Sequence, residues 1–286
     1  MTDVRFIAEV SSNHKQDIDR SIAFIDQASS IGCWAVKFQL FKIDKLFSQE
    51  ILERSQQHRG RRDWELPSSY IPILAQRCKE RGIQFACTPF YLEAVSELEP
   101  HVDFYKIASY ELLWDDLLAA CANTGKPVIL STGMATIQEV NHAVKVLKSS
   151  GCASPTLLHC NSAYPTPPHD SNLAAIGTIK AATACEVGWS DHTAEAAVLQ
   201  RAIHRWGVTT IEFHLDLDGC GDEYPSGHCW LPDQIERVIL ETKLALASDG
   251  YGEKSPSPSE IADRDWRADP SDGLRPMQHI RSSWWP

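Results

Sequence analysis

Short apolar runs alternate with longer stretches of helical period along almost the whole chain, and few architectures accept that pattern. The runs are Phe6–Val10, Ala35–Gln39, Ile83–Thr88, Phe104–Ser109, Val128–Thr132, Thr156–Cys160, Val187–Ser190 and Thr210–His214. Between them lie candidate helices at Asp17–Ile31, Ser68–Arg81, Tyr91–Leu98, Trp114–Asn123, Ile137–Ser149, Leu173–Ala182, Ala194–Trp206 and Pro232–Ala247. Alternation of this kind makes βαβ units and a parallel sheet, and about eight such units close into a barrel more readily than they spread into an open sheet. Short runs that are apolar throughout suit strands buried on both faces. Glycine recurs where helices should stop, at Gly32, Gly82, Gly125, Gly151 and Gly207, as a left-handed C-terminal cap requires. Pro127 and Pro155 follow two of these stops and block continuation. The 286 residues are close to the roughly 250 typical of a (β/α)8 barrel. The expected fold is therefore α/β, a single-domain TIM barrel over residues 1–250, followed by a C-terminal tail over 251–286.

That tail is rich in turn formers and charge and ends S-S-W-W-P. Paired tryptophans bare to water are unusual for a monomer, so the tail is expected to wrap the barrel or meet another subunit of a homo-oligomer. The segment Phe41–Leu66 is the other irregularity. It is long and polar and carries Arg59, Arg61 and Arg62, which suits a lid or binding loop as well as a solvated excursion. A net charge of −11 argues against nucleic acid or an anionic membrane as partner, since phosphate backbones are held by clustered Lys and Arg. The N-terminal residues lack the basic start and apolar run of a signal peptide, and no apolar stretch reaches the ~20 residues needed to span a bilayer. A cytoplasmic location is expected. The nine cysteines contain no CxxC pair, and Cys33, Cys87 and Cys160 sit in apolar runs where a free thiol packs as a small hydrophobe.

In a (β/α)8 barrel the active site lies at the C-terminal ends of the strands. Polar residues at those ends are Glu9, Lys37, Gln39, Thr88, Lys106, Ser109, Glu111, Ser131, Ser162, Tyr164, Ser190, His192 and His214. His192 and His214 each follow a short β-branched segment, and imidazoles from neighbouring strand ends can seat one divalent ion with positions left open. Lysines within apolar strands lose hydration unless an anion compensates, and opposite charges 4 Å apart attract by roughly 4 kcal/mol at an effective dielectric of 20. A small polyanion explains Lys37 and Lys106 on that ground, with the hydroxyls of Thr88, Ser109, Ser131 and Ser190 completing its shell. The other role open to each lysine is a buried ion pair with a carboxylate.

The motifs I-A-E-V with Asn13–His14, V-K-F-Q at Val36–Gln39, C-T-P-F at Cys87–Phe90, Y-K-I-A-S at Tyr105–Ser109, L-S-T-G-M at Leu130–Met134, L-L-H-C-x-S-x-Y-P at Leu157–Pro165 and V-G-x-S-D-H-T at Val187–Thr193 occur in order. Together they resemble the phosphoenolpyruvate-dependent sialic acid (N-acetylneuraminate) synthases and related nonulosonate synthases. The resemblance implies that Lys37, Thr88, Lys106, Ser109, Ser131, Ser162 and Ser190 hold phosphoenolpyruvate. It implies that His192 and His214 bind a divalent metal, Mn or else Mg or Co, and that Glu9, Gln39, Glu111 and Tyr164 meet a sugar aldehyde. The implied reaction joins C3 of the enol to the aldehyde, adds water at C2 and releases phosphate with C–O cleavage. Catalysis would then rest on Glu9, Lys37, Lys106, Glu111, His192 and His214.

Two departures from the family pattern bear on the substrate. The family carries a P-G-P-D-like run after the second histidine, whereas a gap-free count here sets Pro225 where the sugar-binding aspartate should be. Asp222 or Glu223 is expected to substitute from a shifted loop, with Asp216, Asp218 and His228 as further polar contacts. The second departure is that family members append a small antifreeze-like domain for which this chain leaves no room. The long segment after Gln39, with its arginines, is one candidate closure for the sugar pocket. Two competing activities stay open: a lysine-dependent aldolase using Lys37 or Lys106, and a non-catalytic phosphate-binding scaffold.

Overall fold

The computed structural model describes residues 4–284. Eight strands, β1 (Arg5–Glu9), β2 (Ala35–Leu40), β3 (Gln84–Pro89), β4 (Phe104–Ile107), β5 (Val128–Ser131), β6 (Thr156–His159), β7 (Glu186–Asp191) and β8 (Thr210–Leu215), each pair in parallel with the next. β8 closes the ring on β1, with Arg5 opposite Thr210 and Glu9 opposite His214. The result is the (β/α)8 barrel expected from the alternation. Its helices are α1 (Ile18–Ser30), α2 (Ile43–Leu46), α3 (Gln49–Arg54), α4 (Gln56–Gly60), α5 (Ile71–Arg81), α6 (Leu92–Leu98), α7 (Asp115–Asn123), α8 (Ile137–Ser149), α9 (Ala175–Thr183), α10 (Ala196–Trp206) and α11 (Pro232–Ser248). None of the described helices is long and apolar enough to cross a membrane.

Local chemistry sets the helix ends. The Asp17 carboxylate accepts from the backbone N–H groups of Asp19 and Arg20 at the start of α1, and Thr136 with Glu139 forms a capping box at the start of α8. All five glycines expected to stop helices have positive φ, between 67° at Gly207 and 109° at Gly151. All nine cysteines are free, and Cys220 alone is exposed.

The strand period of two explains where polar chemistry collects. Inside the barrel Ile7, Ala35, Ala86, Phe104, Ile129 and Leu158 form one apolar layer. Two residues further along the same strands stand Glu9, Lys37, Thr88, Lys106, Ser131 and Cys160. Because side chains two apart share a face, these six point into the same interior one layer nearer the C-terminal mouth.

Two segments add to the eight-fold pattern. A ninth strand, β9 (Cys229–Trp230), pairs with the end of β8 through His214–Cys229 and Leu215–Trp230, beyond the last β7 pair at Asp191–Phe213. It is held by Asp191, fully buried, which accepts from the indole N–H groups of Trp189 and Trp230 (3.1 Å each), from the Thr193 hydroxyl (2.7 Å) and from the Ala194 N–H (3.1 Å). The segment between β2 and α5 folds into α2, α3 and α4 over a small core of Phe41, Ile43 and Leu52. Its arginines are engaged locally. Arg62 forks onto Asp44, Arg59 donates to the Leu52 carbonyl, and Arg61 lies over Phe47 and Trp64. The idea that they close a sugar pocket therefore meets an internally bonded subdomain instead.

By the chain's internal contacts one compact unit ends at Leu244 and a second begins at Ala245. The second contains a 3-10 run at Pro258–Trp266 and helix α12 (Gln278–Arg281). Trp266 and Trp284 meet edge to face at 5.3 Å, so Trp284 has an aromatic partner within its own unit. Trp285 lies outside the described residues.

Candidate active site

The mouth of the barrel brings Glu9, Lys37, Gln39, Lys106, Ser109, Ser131, Tyr164, Ser190, His192 and His214 to one cleft. Glu212, a residue absent from the strand-end candidates, joins them and sits at the centre of the charge. Its Oε1 is 3.2 Å from Lys106 Nζ and accepts from Ser190 Oγ at 2.9 Å, while its Oε2 is 3.8 Å from Lys37 Nζ. Lys37 also contacts the Glu9 carboxylate and donates to Thr88 Oγ1 at 3.3 Å. Glu9 Oε1 in turn accepts from Gln39 Nε2 (2.7 Å) and the Ser11 N–H (3.1 Å). Each lysine thus has a carboxylate partner, so of the two roles open to the lysines the buried ion pair is the one the fold supplies from within, with Glu9 and Glu212 set against Lys37 and Lys106 inside the barrel. Burial opposes charge on Lys37, but Glu212 and Glu9 override it and hold the group protonated well above its ordinary range.

On the β4–β6 side the polar atoms are short of partners. Ser131 Oγ and Ser162 Oγ are buried with no hydrogen-bond partner among the described residues, as is Glu111 Oε2. Ser109 Oγ accepts from the Gly133 N–H at 3.0 Å and lies 3.2 Å from Cys160 Sγ. A Cβ on Gly133 would stand 2.3 Å from Ser162 Oγ and 2.9 Å from Ser109 Oγ, so only glycine leaves this hydroxyl cradle intact. Burial pushes the Glu111 carboxyl up to about 7 although Lys106 pulls the other way.

On the β7–β8 side stand imidazoles. His192 Nδ1 lies 2.6 Å from the Asn161 carbonyl, so that nitrogen carries the proton and donates, which leaves the Nε2 lone pair for a ligand. Burial, with His214 nearby, lowers His192 to about 3 and keeps it neutral, as ligation requires. The His192 and His214 ring centroids are 5.3 Å apart, and both lie beside the Tyr164 ring, at 4.1 and 5.7 Å. An imidazole bound at 2.0–2.1 Å places its centroid about 3.2 Å from the ion, so two rings sharing one ion are separated by at most about 6.5 Å. The two predicted histidines satisfy that limit, and the donor set present fits a divalent ion of borderline softness.

The 216–228 segment decides between the two candidates, Asp222 and Glu223. Asp222 is exposed, and the structure does not bring it into the cleft; Glu223 turns inward instead. The reason is local anchoring: the Glu223 N–H donates to Asn13 Oδ1 (2.9 Å) and the Gly221 N–H to Asp216 Oδ2 (3.1 Å). Asp216 and Asp218 both pair with Arg20 and hold the loop rather than face the cleft. His228 reaches the imidazole group, its ring 4.7 Å from that of His214.

A parallel barrel with its polar side chains gathered at the strand ends defines a TIM-barrel protein whose site faces one mouth. Residues 24–254 match the NeuB family, and the chain belongs to it. It is 38% identical over 257 residues to an uncharacterized protein of Methanocaldococcus jannaschii, covering 89% of this chain and 74% of that one. It is 31% identical over 269 residues to the N,N'-diacetyllegionaminic acid synthase of Campylobacter jejuni, covering 89% and 80%. The N-acetylneuraminic acid (sialic acid) synthetase structure from Leptospira borgpetersenii superposes with a TM-score of 0.80 at 29% identity, covering 91% of this chain and 90% of that one.

Proposed function

We propose that the protein condenses phosphoenolpyruvate with a sugar aldehyde, N-acetylmannosamine or another aldose, to give a 3-deoxy-2-ulosonic acid and phosphate, with a divalent metal held at His192 and His214. The observation that carries this reading is the pairing, across one cleft, of buried hydroxyls lacking partners with a wall of imidazoles. Ser109, Ser131, Ser162 and Lys106 bind the phosphate, and Lys37 with Thr88 orients the carboxylate end of the same substrate. Because Glu9 and Glu212 already neutralise the two lysines, the remaining negative charge of the substrate calls for a further cation, which the imidazole wall is suited to hold. When bound, that ion would polarise the aldehyde carbonyl and stabilise the charge developing on its oxygen.

The chain's own groups do the rest. Tyr164 flanks the imidazoles at the mouth, where an entering sugar must pass, and Gln39 presents Glu9 to it. Glu111, its carboxyl raised to about 7, keeps a proton in part near neutral pH and can give it to the aldehyde oxygen as C3 of the enol forms the new bond. A lysine-dependent aldolase is disfavoured because imine formation needs a neutral amine and Lys37 is kept an ammonium. The test is phosphate release from phosphoenolpyruvate against a panel of aldoses and N-acylated amino sugars, with and without Mn2+. Release that depends on both sugar and metal is expected. Silence across the panel would leave the scaffold reading standing, and covalent capture on borohydride would establish the aldolase.

A further inference from the structure

The two histidines of the motif are not the densest group of potential ligands in the molecule. One donor atom from each of His214, Glu223, His228 and Cys229 lies within 4.8 Å of all the others. Three of these come from the segment joining β8 to α11. Glu223 Oε2 sits 2.9 Å from His214 Nδ1 and 3.4 Å from His228 Nε2. His228 is 3% exposed, and neither of its ring nitrogens makes a hydrogen bond to any described residue. A buried imidazole whose Nδ1 meets no polar partner, and whose Nε2 meets only the Glu223 carboxylate in poor geometry, loses hydration at a cost of about 1–3 kcal/mol for each unsatisfied nitrogen unless something else occupies it. Its ring lies 4.7 Å from His214, inside the separation that one shared ion permits, and 6.5 Å from His192, at that limit, His192 itself standing outside the group of four. Cys229 has a different neighbour, since the Asn13 amide points at its sulfur from 3.6 Å.

We propose that Glu223 and His228 are additional ligands of the divalent ion, so that it is held by three imidazoles and a carboxylate rather than by His192 and His214 alone. This rests on the metal reading of those two histidines and extends it. β9 makes it possible: pairing Cys229 against His214 folds the intervening loop back across the mouth and sets His228 beside the strand end. Two consequences follow from ligand chemistry. Three imidazoles select Mn2+, Co2+ or Zn2+ over Mg2+, which prefers oxygen and keeps its waters. More protein ligands also mean that the ion stays bound without substrate and fastens the 216–228 loop.

The experiment uses the whole chain, stripped with a chelator and titrated with Mn2+ by calorimetry and with Co2+ by visible absorption, in wild type and in His228→Gln, Glu223→Gln and His214→Gln. Loss of Mn2+ affinity by roughly tenfold to hundredfold in both His228→Gln and Glu223→Gln is expected, by the scale on which even outlying metal-site groups act, together with an altered Co2+ spectrum. Wild-type affinity and spectrum in His228→Gln would overturn the proposal, as would an effect confined to Glu223→Gln, which would make that carboxylate only an orienter of His214. If His214→Gln also binds normally, the underlying metal reading has failed instead. Should His228→Gln not fold, X-ray absorption at the Co2+ edge of the wild-type protein counts imidazoles directly: three support the proposal and two overturn it.

Discussion

On the β7 side of the mouth a buried carboxylate, Asp191, accepts four hydrogen bonds and ties Trp189, Trp230 and the turn at Thr193 into one unit. On the β4–β6 side, less than a barrel's width away, Ser131, Ser162 and Glu111 keep buried oxygens with no partner among the described residues. Both sets are polar atoms withdrawn from water, yet one is saturated and the other starved. Folding accounts for the first, because a satisfied network fixes β9 against β7. It does not account for the second, since a buried hydroxyl without a partner is a loss in the free protein. The β4–β6 side is therefore shaped for something the chain does not itself supply.

The largest test of this contrast is Asp191→Ala. Two indole N–H groups, a hydroxyl and a backbone N–H would lose their acceptor together, and a destabilisation of about 4 kcal/mol is expected, read as a fall in the urea midpoint. A shift below about 1 kcal/mol would erase the distinction between the two sides.

Next comes Glu111→Gln. With a carboxyl raised from 4.5 to about 7 in the folded protein, the folded state keeps its proton after the unfolded chain has released it. The stability this group contributes is complete below pH 4.5 and is lost as pH rises toward 7, in total about 3 kcal/mol at 1.36 kcal/mol per pH unit. Glutamine has no proton to lose, so the variant's denaturation midpoint should be flatter than wild type over that window, and turnover near neutral pH should fall as well.

Ser131→Ala and Ser162→Ala carry the contrast into binding. Each removes a buried oxygen that bonds nothing among the described residues, so stability should hold or rise, by up to about 1–3 kcal/mol. The phosphoenolpyruvate KM should rise roughly tenfold or more, since a hydrogen bond to a charged group is worth about 1.5–3 kcal/mol. Stability that fell while KM stayed put would make these hydroxyls structural after all.

How much of this was readable beforehand follows the range of the forces involved. The strands and barrel helices were legible because apolar period and glycine stops are local. The residues of the polar layer are legible as strand ends, and Glu212 obeys the same rule, two residues before His214 on the same face of β8. Glu223 and His228 stand among the loop candidates but cannot be told from Asp222, Asp216 and Asp218 by sequence, since their position depends on Asn13, Asp216 and the β9 pairing, contacts to residues up to 210 positions away in sequence. The lysines' partners were undecided for the same reason: an anion or a carboxylate satisfies an ammonium equally, and only the fold says that Glu9 and Glu212 are within reach.

The segment after β2 gives the smallest expected effect and sharpens the contrast from a third place. α2, α3 and α4 run four to six residues each, too short to persist alone, so their order comes from packing on Phe41, Ile43 and Leu52 and from pairs such as Arg62 with Asp44. Arg62 is saturated, like Asp191, but in water, where exposed ion pairs contribute little and are screened by salt. Arg62→Ala should thus leave the KM for the sugar unchanged and alter the melting temperature only slightly, by an amount that vanishes at high salt. A clear rise in the sugar KM with unaltered phosphoenolpyruvate KM would mean that Arg62 exchanges Asp44 for substrate during turnover, and would return this segment to the pocket's closure.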